Sequence, residues 1–397
     1  MKKLFLKAKN HKSMMDDVMK KCILCPRECG VDRKLRKGFC GAPEHLRAAR
    51  AGLHYFEEPF LSGWRGSGTV FFSGCNLRCI YCQNYQISGN DSFGIEITTE
   101  RLAEIFIEQQ LRGAHNINLV TGTPYIPLIA EAIKAAKNGV NPRDFEGTGK
   151  AYGKGWEEIR LTIPVIWNSS GYEKAEMLEP LKGLVDIWLP DFKTLSAALG
   201  SRYMNAPDYP EYAKKSLAWM AEQAGEAEFI SAREEETAGL QSLHDGFGRE
   251  LNDRNNAENY AKQGGCDQNN AENHAEQSGY DQTNSPCYTK EDIEECGLMK
   301  RGVCVRHLVI PGQIEDSKNV LKYLYETYGN RIWISLMSQY TPMRTDFSAP
   351  ELNRKLTAGE YDEVVDYAIG LGIEQCMIQG EDTADESFIP IFDGTGI

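Results

Sequence analysis

Short apolar segments that alternate with helical patterns constrain the fold of this 397-residue chain more than any other feature. Each segment is rich in β-branched and aromatic residues, and the stretches between the segments have the apolar spacing of amphipathic helices. Because the segments are almost continuously apolar, they fit a parallel sheet that is covered on both faces. The predicted strands are residues 69–73, 117–120, 163–168, 185–190, 303–310 and 331–337.

Six strand–helix units predict an α/β fold, namely a partial parallel (β/α)6 barrel of the TIM type. In such a barrel the functional residues follow the C-terminal ends of the strands. A doubly wound open sheet is the alternative, since periodicity alone does not show whether a sheet curls into a barrel.

One long segment does not follow this pattern. It is rich in Asn and Gln, contains a near-repeat ("AENYAKQGGCDQ", then "AENHAEQSGYDQ") and has few large apolar side chains. Burial of so few apolar groups cannot offset the entropy of ordering the chain, so we predict that residues 226–292 are disordered and that Cys266, Cys287 and Cys296 have no fixed site. A smaller polar insertion is predicted at 138–155. The predicted organisation is a Cys-rich N-terminal extension (1–60), a core in two parts (61–225 and 293–397) and the insertion between these parts.

Charge and hydropathy bear on partners and location. Residues 221–300 carry 18 acidic and 6 basic side chains, which is nearly all of the formal net charge of −13. The rest of the chain is almost balanced in charge and shows no basic stripe, so a nucleic-acid partner is not expected.

No segment approaches the ~18 apolar residues of a membrane span, and the N-terminal apolar run is too short for a signal peptide. We therefore expect a cytoplasmic protein without a membrane partner, in which twelve cysteines favour metal or redox chemistry over disulfides.

Three of these cysteines directly follow the first predicted strand. In "SGCNLRCIYCQNY" they are Cys75, Cys79 and Cys82, with the spacing CxxxCxxC. A disulfide would use only two of them, and structural zinc normally takes four ligands. Three thiolates can hold a [4Fe–4S] cluster and leave one iron open to an external ligand. Packed thiols without a metal are the remaining alternative.

This motif resembles the cluster motif of radical S-adenosylmethionine (radical SAM) enzymes, CxxxCxΦC, with Tyr81 as the aromatic residue. Collinear segments, among them "WNSSGYE", "LPDFK", "YMNAPDY", "RHLVIPG" and "MIQGEDTADESFIPIF", are similar to an uncharacterised branch related to pyruvate formate-lyase activating enzymes. The resemblance extends over nearly all of the chain that we predict to be ordered.

The resemblance implies a reaction and a cofactor site. S-adenosylmethionine would bind the open iron through its amino and carboxylate groups. One electron from the cluster would cleave its C–S bond to give methionine and a 5′-deoxyadenosyl radical, which abstracts hydrogen from a substrate. No side chain is assigned a catalytic role, because the difficult chemistry belongs to the cofactor. Tyr81 is expected to pack near the adenine.

The same resemblance implies further cofactor-binding positions at the ends of other strands. Relatives have an acidic Gly-Gly-Glu-type segment after the second strand, whereas this chain has "VTGTPY" with no acidic residue, so the backbone around Gly122 and Thr123 is expected to bind the amine. Polar Asn168 and Ser169 follow the third strand. Asp191 and Lys193 follow the fourth, in an Asp-x-Lys pattern whose lysine would neutralise a carboxylate; a solvated ion pair is the alternative. Arg306 and His307 are adjacent in the fifth strand, so only one of the two can point inward.

A second group of cysteines lies upstream, in "CILCPRECGVDRKLRKGFCG". Cys22, Cys25, Cys29 and Cys40 form a complete tetrathiolate set, with glycines that permit tight turns around a metal. We predict a second metal site, with zinc and an auxiliary iron–sulfur cluster both open and reduced structural thiols as the alternative. Cys304 and Cys376 are expected to be core residues.

Three functions compete. The first is a radical SAM enzyme of the activating-enzyme type, which abstracts hydrogen from a protein partner such as a glycyl-radical enzyme and receives its electron from flavodoxin or ferredoxin. The second is radical modification of a small molecule. The third is a non-catalytic iron–sulfur protein for electron transfer or sensing.

Overall fold

A computed structural model of the chain describes residues 18–140, 159–235, 289–342, 348–379 and 390–397. These residues form one large sheet with helices packed against it. The strands are β1 (Leu46–His54), β2 (Ser67–Phe72), β3 (Ile95–Ile97), β4 (Ile117–Val120), β5 (Val165–Ser169), β6 (Ile187–Pro190), β7 (Glu228–Ile230), β8 (Leu298–Leu308), β9 (Trp333–Met337) and β10 (Cys376–Ile378). The α-helices are α1 (Pro59–Ser62), α2 (Tyr85–Ser88), α3 (Thr99–Leu111), α4 (Ile126–Asn138), α5 (Ala197–Met204), α6 (Tyr209–Ala224), α7 (Lys290–Cys296), α8 (Ile314–Tyr328) and α9 (Ala358–Leu371).

The strand order confirms the predicted fold class. The strands β2, β4, β5, β6, β8, β9 and β10 lie side by side in chain order, and each neighbouring pair is parallel. A doubly wound sheet would reverse its order at a switch point, and this sheet does not. The sheet ends at β10 on one side and at β3 on the other, so it is an open, partial barrel.

Four strands were not predicted from the sequence. β1 pairs antiparallel with β2, β3 pairs antiparallel with β1, β7 pairs antiparallel with β8, and β10 extends the parallel part. The sequence of β1, "LRAARAGLH", lacks the β-branched and aromatic residues that mark strands. It pairs because Ala48, Ala49 and Ala51 are completely buried in the sheet.

The two faces of the sheet have different coverings. On one face Val70, Trp167 and Val305 pack with the helices in the main core. On the other face Phe60 and Leu61 of α1 pack against strand residues such as Ile166, Leu189 and Cys304. The connection between β1 and β2, which contains α1, therefore covers this second face of the sheet.

Residues 1–60 contain more than a Cys-rich extension. β1 lies within this range and α1 begins at its end, and both are integral to the sheet and its packing. The cysteine-rich residues 18–45 precede β1 and lie against the cluster loop, as described below.

The ends of the segment predicted as disordered are part of the fold. Phe229 in β7 packs against Phe60 and Trp333, with ring centroids 5.9 and 5.3 Å apart. Cys296 ends α7 and is half-buried. The prediction was wrong for residues 226–235, where Phe229 and Glu235 make apolar and ionic contacts with distant elements, and for 289–292, which include the start of α7. Residues 236–288, with Cys266 and Cys287, and residues 141–158 of the smaller insertion lie outside the described residues.

Within the described residues, no helix combines the length and the apolar character needed to cross a membrane. Cys304 is completely buried, as expected for a core residue, and Cys376 begins β10 and is half-buried.

Candidate functional site: the cysteine loop at the strand ends

The loop that carries Cys75, Cys79 and Cys82 begins directly after β2, at the end of the first parallel strand. Gly74 makes the turn with a φ of 93°, a conformation that favours glycine. Its amide donates to the carbonyl of Ile87 at 2.6 Å, and the amide of Cys82 donates to the carbonyl of Cys79 at 3.2 Å. The three cysteines are free and half-buried on one short loop.

The three thiols are close enough to affect one another. Burial raises the pKa of Cys79 to about 12, and the neighbouring Cys82 and Cys75 raise it further while Lys193 opposes them. Burial and Cys75 likewise raise the pKa of Cys82 to about 11. Thiolates at these positions therefore need a positive partner, which a metal cluster supplies.

The donor set of three thiols on one loop fits an iron–sulfur cluster. Among all described residues, no group of three or more Cys, His, Asp or Glu side chains is arranged to hold one metal ion. In a [4Fe–4S] cube each thiolate binds a different iron, so the three sulfur atoms need not converge on a point. Three half-buried thiols whose charges interact on one short loop meet that requirement.

A lysine lies beside this loop, at the end of β6. The Nζ atom of Lys193 contacts Oδ2 of Asp191 at 2.7 Å, and its side chain is 15% exposed. Burial lowers the pKa of Lys193, but the negative charges of Asp191, Tyr81 and Cys79 outweigh this effect and hold the pKa well above its usual value. Lys193 is thus a partly buried cation that faces both the cluster loop and Asp191, and not a solvated surface pair.

Tyr81 extends from the cluster loop into a cluster of aromatic residues. Its ring meets Tyr203 edge-on with centroids 6.1 Å apart, and Tyr340 at 6.4 Å. Burial raises the pKa of its hydroxyl group well above the usual value. A small pocket lies here, and its lining includes Tyr81, Lys193, Tyr203, Met204, His307 and Gln313.

The predicted residues after β4 and β5 meet at a buried carboxylate that was not predicted. Oε1 of Glu173 accepts hydrogen bonds from Thr123 Oγ1 at 2.8 Å and from Trp167 Nε1 at 3.0 Å, and Oε2 accepts from Ser169 Oγ at 2.6 Å. Glu173 is completely buried, which raises the pKa of its carboxyl group while the three donors oppose this shift. A Cβ at Gly122 would lie 2.6 Å from the Trp167 ring, so only glycine fits there.

Asn168 and Ser169 are neighbours in β5 and therefore point to opposite faces of the sheet. The Ser169 hydroxyl group binds Glu173 on the face covered by helices. Asn168 shares the other face with Ile166. The structure thus brings Thr123 and Ser169 together through Glu173 and separates them from Asn168. A Glu four residues after the polar end of β5 was the only sequence signal for this link.

The face of the sheet that α1 covers contains a buried ionic cluster. Arg306 donates from Nε to Glu58 Oε1 at 2.9 Å and from a terminal nitrogen to Glu58 Oε2 at 2.7 Å, and it also contacts Glu57. Glu57 Oε1 in turn accepts from Asn118 Nδ2 at 2.8 Å. His307 points the opposite way and bonds through Nδ1 to the carbonyl of Phe192 at 2.7 Å. The predicted alternation of the two residues is confirmed. The adjacent Glu57 and Glu58 in "FEEPF" were a sequence signal for this ionic cluster that we did not use.

The second cysteine set also comes together. The charges of Cys22, Cys29 and Cys40 all contribute to raising the pKa of Cys25 to about 12, although burial is the main cause. The amide of Phe39 donates to the Cys29 sulfur at 3.3 Å. The carbonyl oxygen of Cys40 accepts a hydrogen bond from the Cys75 amide at 3.2 Å, so the two cysteine sets are adjacent.

Comparison with known proteins adds the following. A family model described as the radical SAM superfamily matches residues 69–227, which include the cluster loop. The chain is 29% identical over 206 residues to the uncharacterized protein MJ0674 of Methanocaldococcus jannaschii, which corresponds to 50% of this chain and 53% of that protein. It is 27% identical over 115 residues to the uncharacterized protein MJ0808 of the same organism, or 25% of this chain and 34% of that protein. The chain thus spans about half the length, or less, of these relatives.

Two solved structures are also similar. SuiB of Streptococcus suis bound to S-adenosylmethionine has a TM-score of 0.39 and 9% identity, over 78% of this chain and 49% of SuiB. HydG, a maturase of the [FeFe]-hydrogenase, has a TM-score of 0.38 and 12% identity, over 81% of this chain and 54% of HydG. The cysteine loop lies inside the segment that the radical SAM superfamily model matches.

Proposed function

We propose that this protein is a radical SAM enzyme whose [4Fe–4S] cluster is held by Cys75, Cys79 and Cys82. The observation that carries the proposal is the group of three free, half-buried thiols that lie close enough to interact on the loop that follows the first parallel strand. These three cysteines would hold the cluster, which would supply the one-electron reduction of S-adenosylmethionine and so the radical chemistry that removes hydrogen from a substrate C–H bond.

The chain's own residues bind and orient the cofactor. Lys193, held by Asp191, neutralises the cofactor's carboxylate, and Tyr81 packs against the adenine in the pocket beside the loop. The loop after β4 supplies Gly122 and Thr123, and the C-terminal end of β5 supplies Asn168 and Ser169. The hydroxyl groups of Thr123 and Ser169 already donate to Glu173. These two residues therefore contribute through their backbone, whose position the hydrogen bonds fix. The aromatic residues around Tyr81 exclude water from the site.

We propose a protein as the substrate, in the manner of the activating enzymes, and flavodoxin or ferredoxin in the cytoplasm as the source of the electron. The support is the series of collinear segments that resembles those enzymes. Modification of a small molecule is the second candidate.

A second metal centre at Cys22, Cys25, Cys29 and Cys40 is part of the proposal. Burial and the neighbouring thiols raise the pKa of Cys25 and of Cys40, and a bound thiophilic metal, either zinc or an auxiliary iron–sulfur cluster, would stabilise the thiolates of this set. Metal analysis of the protein purified without oxygen, before and after reconstitution with iron and sulfide, distinguishes the two.

The reaction is tested with the reconstituted, chemically reduced protein and S-adenosylmethionine. We expect 5′-deoxyadenosine from the wild type and from the control Cys376→Ser, and none from Cys79→Ala. Product from Cys79→Ala at the wild-type level would contradict the proposal. A cluster whose spectrum does not respond to S-adenosylmethionine would instead support an electron-transfer or sensor protein.

The substrate class is tested with a deuterium label. Transfer of deuterium from the labelled Cα of a glycyl-radical-type peptide into 5′-deoxyadenosine is expected for a protein substrate. Absence of transfer, together with transfer from a small molecule, would favour the second candidate.

A further inference from the structure

Arg27 connects the Cys-rich N-terminal segment to the cluster loop through main-chain contacts. It lies between Cys25 and Cys29 in "CPRECG". Its Nε donates to the carbonyl of Asn76 at 2.9 Å, and one terminal nitrogen donates to the carbonyl of Leu77 at 3.4 Å. Both acceptors lie between Cys75 and Cys79. The guanidinium group thus binds the backbone of the loop between its first two thiols.

The same guanidinium group also binds the end of α5. Its terminal nitrogens donate to the carbonyl of Met204 at 2.9 Å and to the carbonyl of Asn205. Asn205 ends the helix in the left-handed conformation, with a φ of 48°. The last carbonyls of a helix lack partners within the helix, and a cation is favourable beside them. One side chain therefore supplies donors to two unrelated stretches of backbone.

Two aromatic rings hold the guanidinium group in this position. Its central carbon lies 3.9 Å from the centroid of Phe39 and 5.1 Å from that of Tyr172. Phe39 belongs to the Cys-rich segment, and its carbonyl accepts from Arg78 on the cluster loop at 3.1 Å. A planar fork that stacks on rings and donates several hydrogen bonds at once is a property of arginine that lysine does not share.

The carbonyls that Arg27 satisfies have few other sources of hydrogen bonds. Asn76 and Leu77 are buried, and their backbone is neither helix nor strand. An unpaired carbonyl in such a place is costly, so the loop is expected to change its backbone if the guanidinium group is lost.

The position of α5 in turn affects the pocket beside the cluster loop. The amide of Ile80 donates to the carbonyl of Tyr203 at 2.9 Å, and the Tyr203 ring contacts Tyr81. Tyr203 and Met204 both line the pocket. By fixing the last turn of α5 against the cluster loop, Arg27 sets the distance between two walls of that pocket.

We infer that Arg27 is a positioning residue that holds the backbone between Cys75 and Cys79 against the end of α5, so that the Cys-rich segment is a structural part of the cluster site. The inference rests on the proposed function, in which Cys75, Cys79 and Cys82 bind the cluster. It assigns Arg27 no contact with the cluster or with S-adenosylmethionine.

The test compares the full-length wild type with Arg27→Ala, Arg27→Lys and, as a control, Arg36→Ala, which removes an exposed arginine of the same segment. The readouts are the electron paramagnetic resonance spectrum of the reduced cluster and the Kd for S-adenosylmethionine, obtained by titrating that spectrum. For Arg27→Ala and Arg27→Lys we expect an altered spectrum and a Kd weaker by about tenfold, the effect of ~1.4 kcal/mol. Arg36→Ala should match the wild type.

Chemical rescue separates positioning from a general loss of folding. Millimolar guanidinium ion, far below the molar range that unfolds proteins, should restore the wild-type spectrum and Kd to Arg27→Ala, whereas methylammonium should not. A wild-type spectrum and affinity in Arg27→Ala would overturn the inference alone, and so would a defect that guanidinium does not correct. A wild type that assembles no cluster would overturn the proposed function, and the inference with it.

Discussion

The carbonyl oxygen of Cys40 accepts a hydrogen bond from the amide of Cys75, with 3.2 Å between oxygen and nitrogen. These residues are the last cysteine of the N-terminal set and the first cysteine of the cluster loop. One peptide-to-peptide bond therefore joins the two groups of thiols. A displacement of the backbone at one group is expected to move the backbone of the other.

Gly74 is the residue that permits this contact. A Cβ at this position would lie 2.7 Å from the Cys40 oxygen, and the φ of 93° is unfavourable for any other residue. We expect Gly74→Ala to destabilise the protein by roughly 1–3 kcal/mol and to lower the iron bound after reconstitution. Urea unfolding and iron analysis measure the two effects. Gly89→Ala is the matched control, because nothing lies within 4 Å of that added Cβ. Equal iron in both variants would contradict the expectation.

Lys193 is expected to matter for cofactor binding more than for folding. Lys193→Met removes the cation that faces Asp191 and Cys79, so the Kd for S-adenosylmethionine should weaken by roughly tenfold. Lys193→Arg should recover part of the affinity because it keeps the charge. The measurement is titration of the reconstituted protein with S-adenosylmethionine. Lys215→Met, at an exposed ion pair, is the control and should leave Kd unchanged.

Removal of Arg306 should be among the most destabilising substitutions in the protein. Arg306→Met leaves Glu57 and Glu58 buried without their cation, which costs about 3–5 kcal/mol in comparable cases. The free energy of unfolding in urea measures the loss. Lys215→Ala, which breaks a pair that is 60% and 64% exposed, should cost no more than about 0.5 kcal/mol. Similar losses of unfolding free energy in the two variants would show that the buried ionic cluster of Arg306, Glu57 and Glu58 does not stabilise the fold.

We expect the protein to lose stability in mild acid because of the buried His115. Burial, together with the charges of Arg65 and Lys300, lowers the pKa of His115 to about 4 from 6.5, although Glu235 opposes the shift. Between these two pH values the unfolded chain binds a proton that the folded chain does not, so stability falls as the pH decreases from 6.5 to 4. The loss is on the order of 3 kcal/mol.

His115→Gln removes this proton uptake and should flatten the dependence of unfolding free energy on pH in that window. Urea unfolding at several pH values measures it. His45→Gln, at an exposed histidine, is the control and should keep the wild-type slope. An unchanged slope in His115→Gln would mean that other groups cause the acid sensitivity.

Much of the fold could be predicted because its signals are local. β2, β4, β5, β6, β8 and β9 all correspond to apolar runs recognised from the sequence, since buried parallel strands need such runs. β1 could not be found in this way, because its small residues give no strand signal of their own and its place in the sheet depends on pairing with β2 and β3. Phe229 and Glu235 border a polar insertion and are ordered only by partners more than 60 residues away in the chain, such as Arg65 and Lys300.

The sequence by itself determined the spacing of Cys75, Cys79 and Cys82, their location after a strand, and the pairing of Asp191 with Lys193, because each depends on residues a few positions apart. Only the tertiary structure decided that Cys40 contacts Cys75, that Glu173 joins Thr123 to Ser169, and that Arg27 binds the backbone near residues 76 and 204. These contacts join parts of the chain up to 178 residues apart. They exist because the parallel order of the strands brings the loops at their ends to one edge of the sheet.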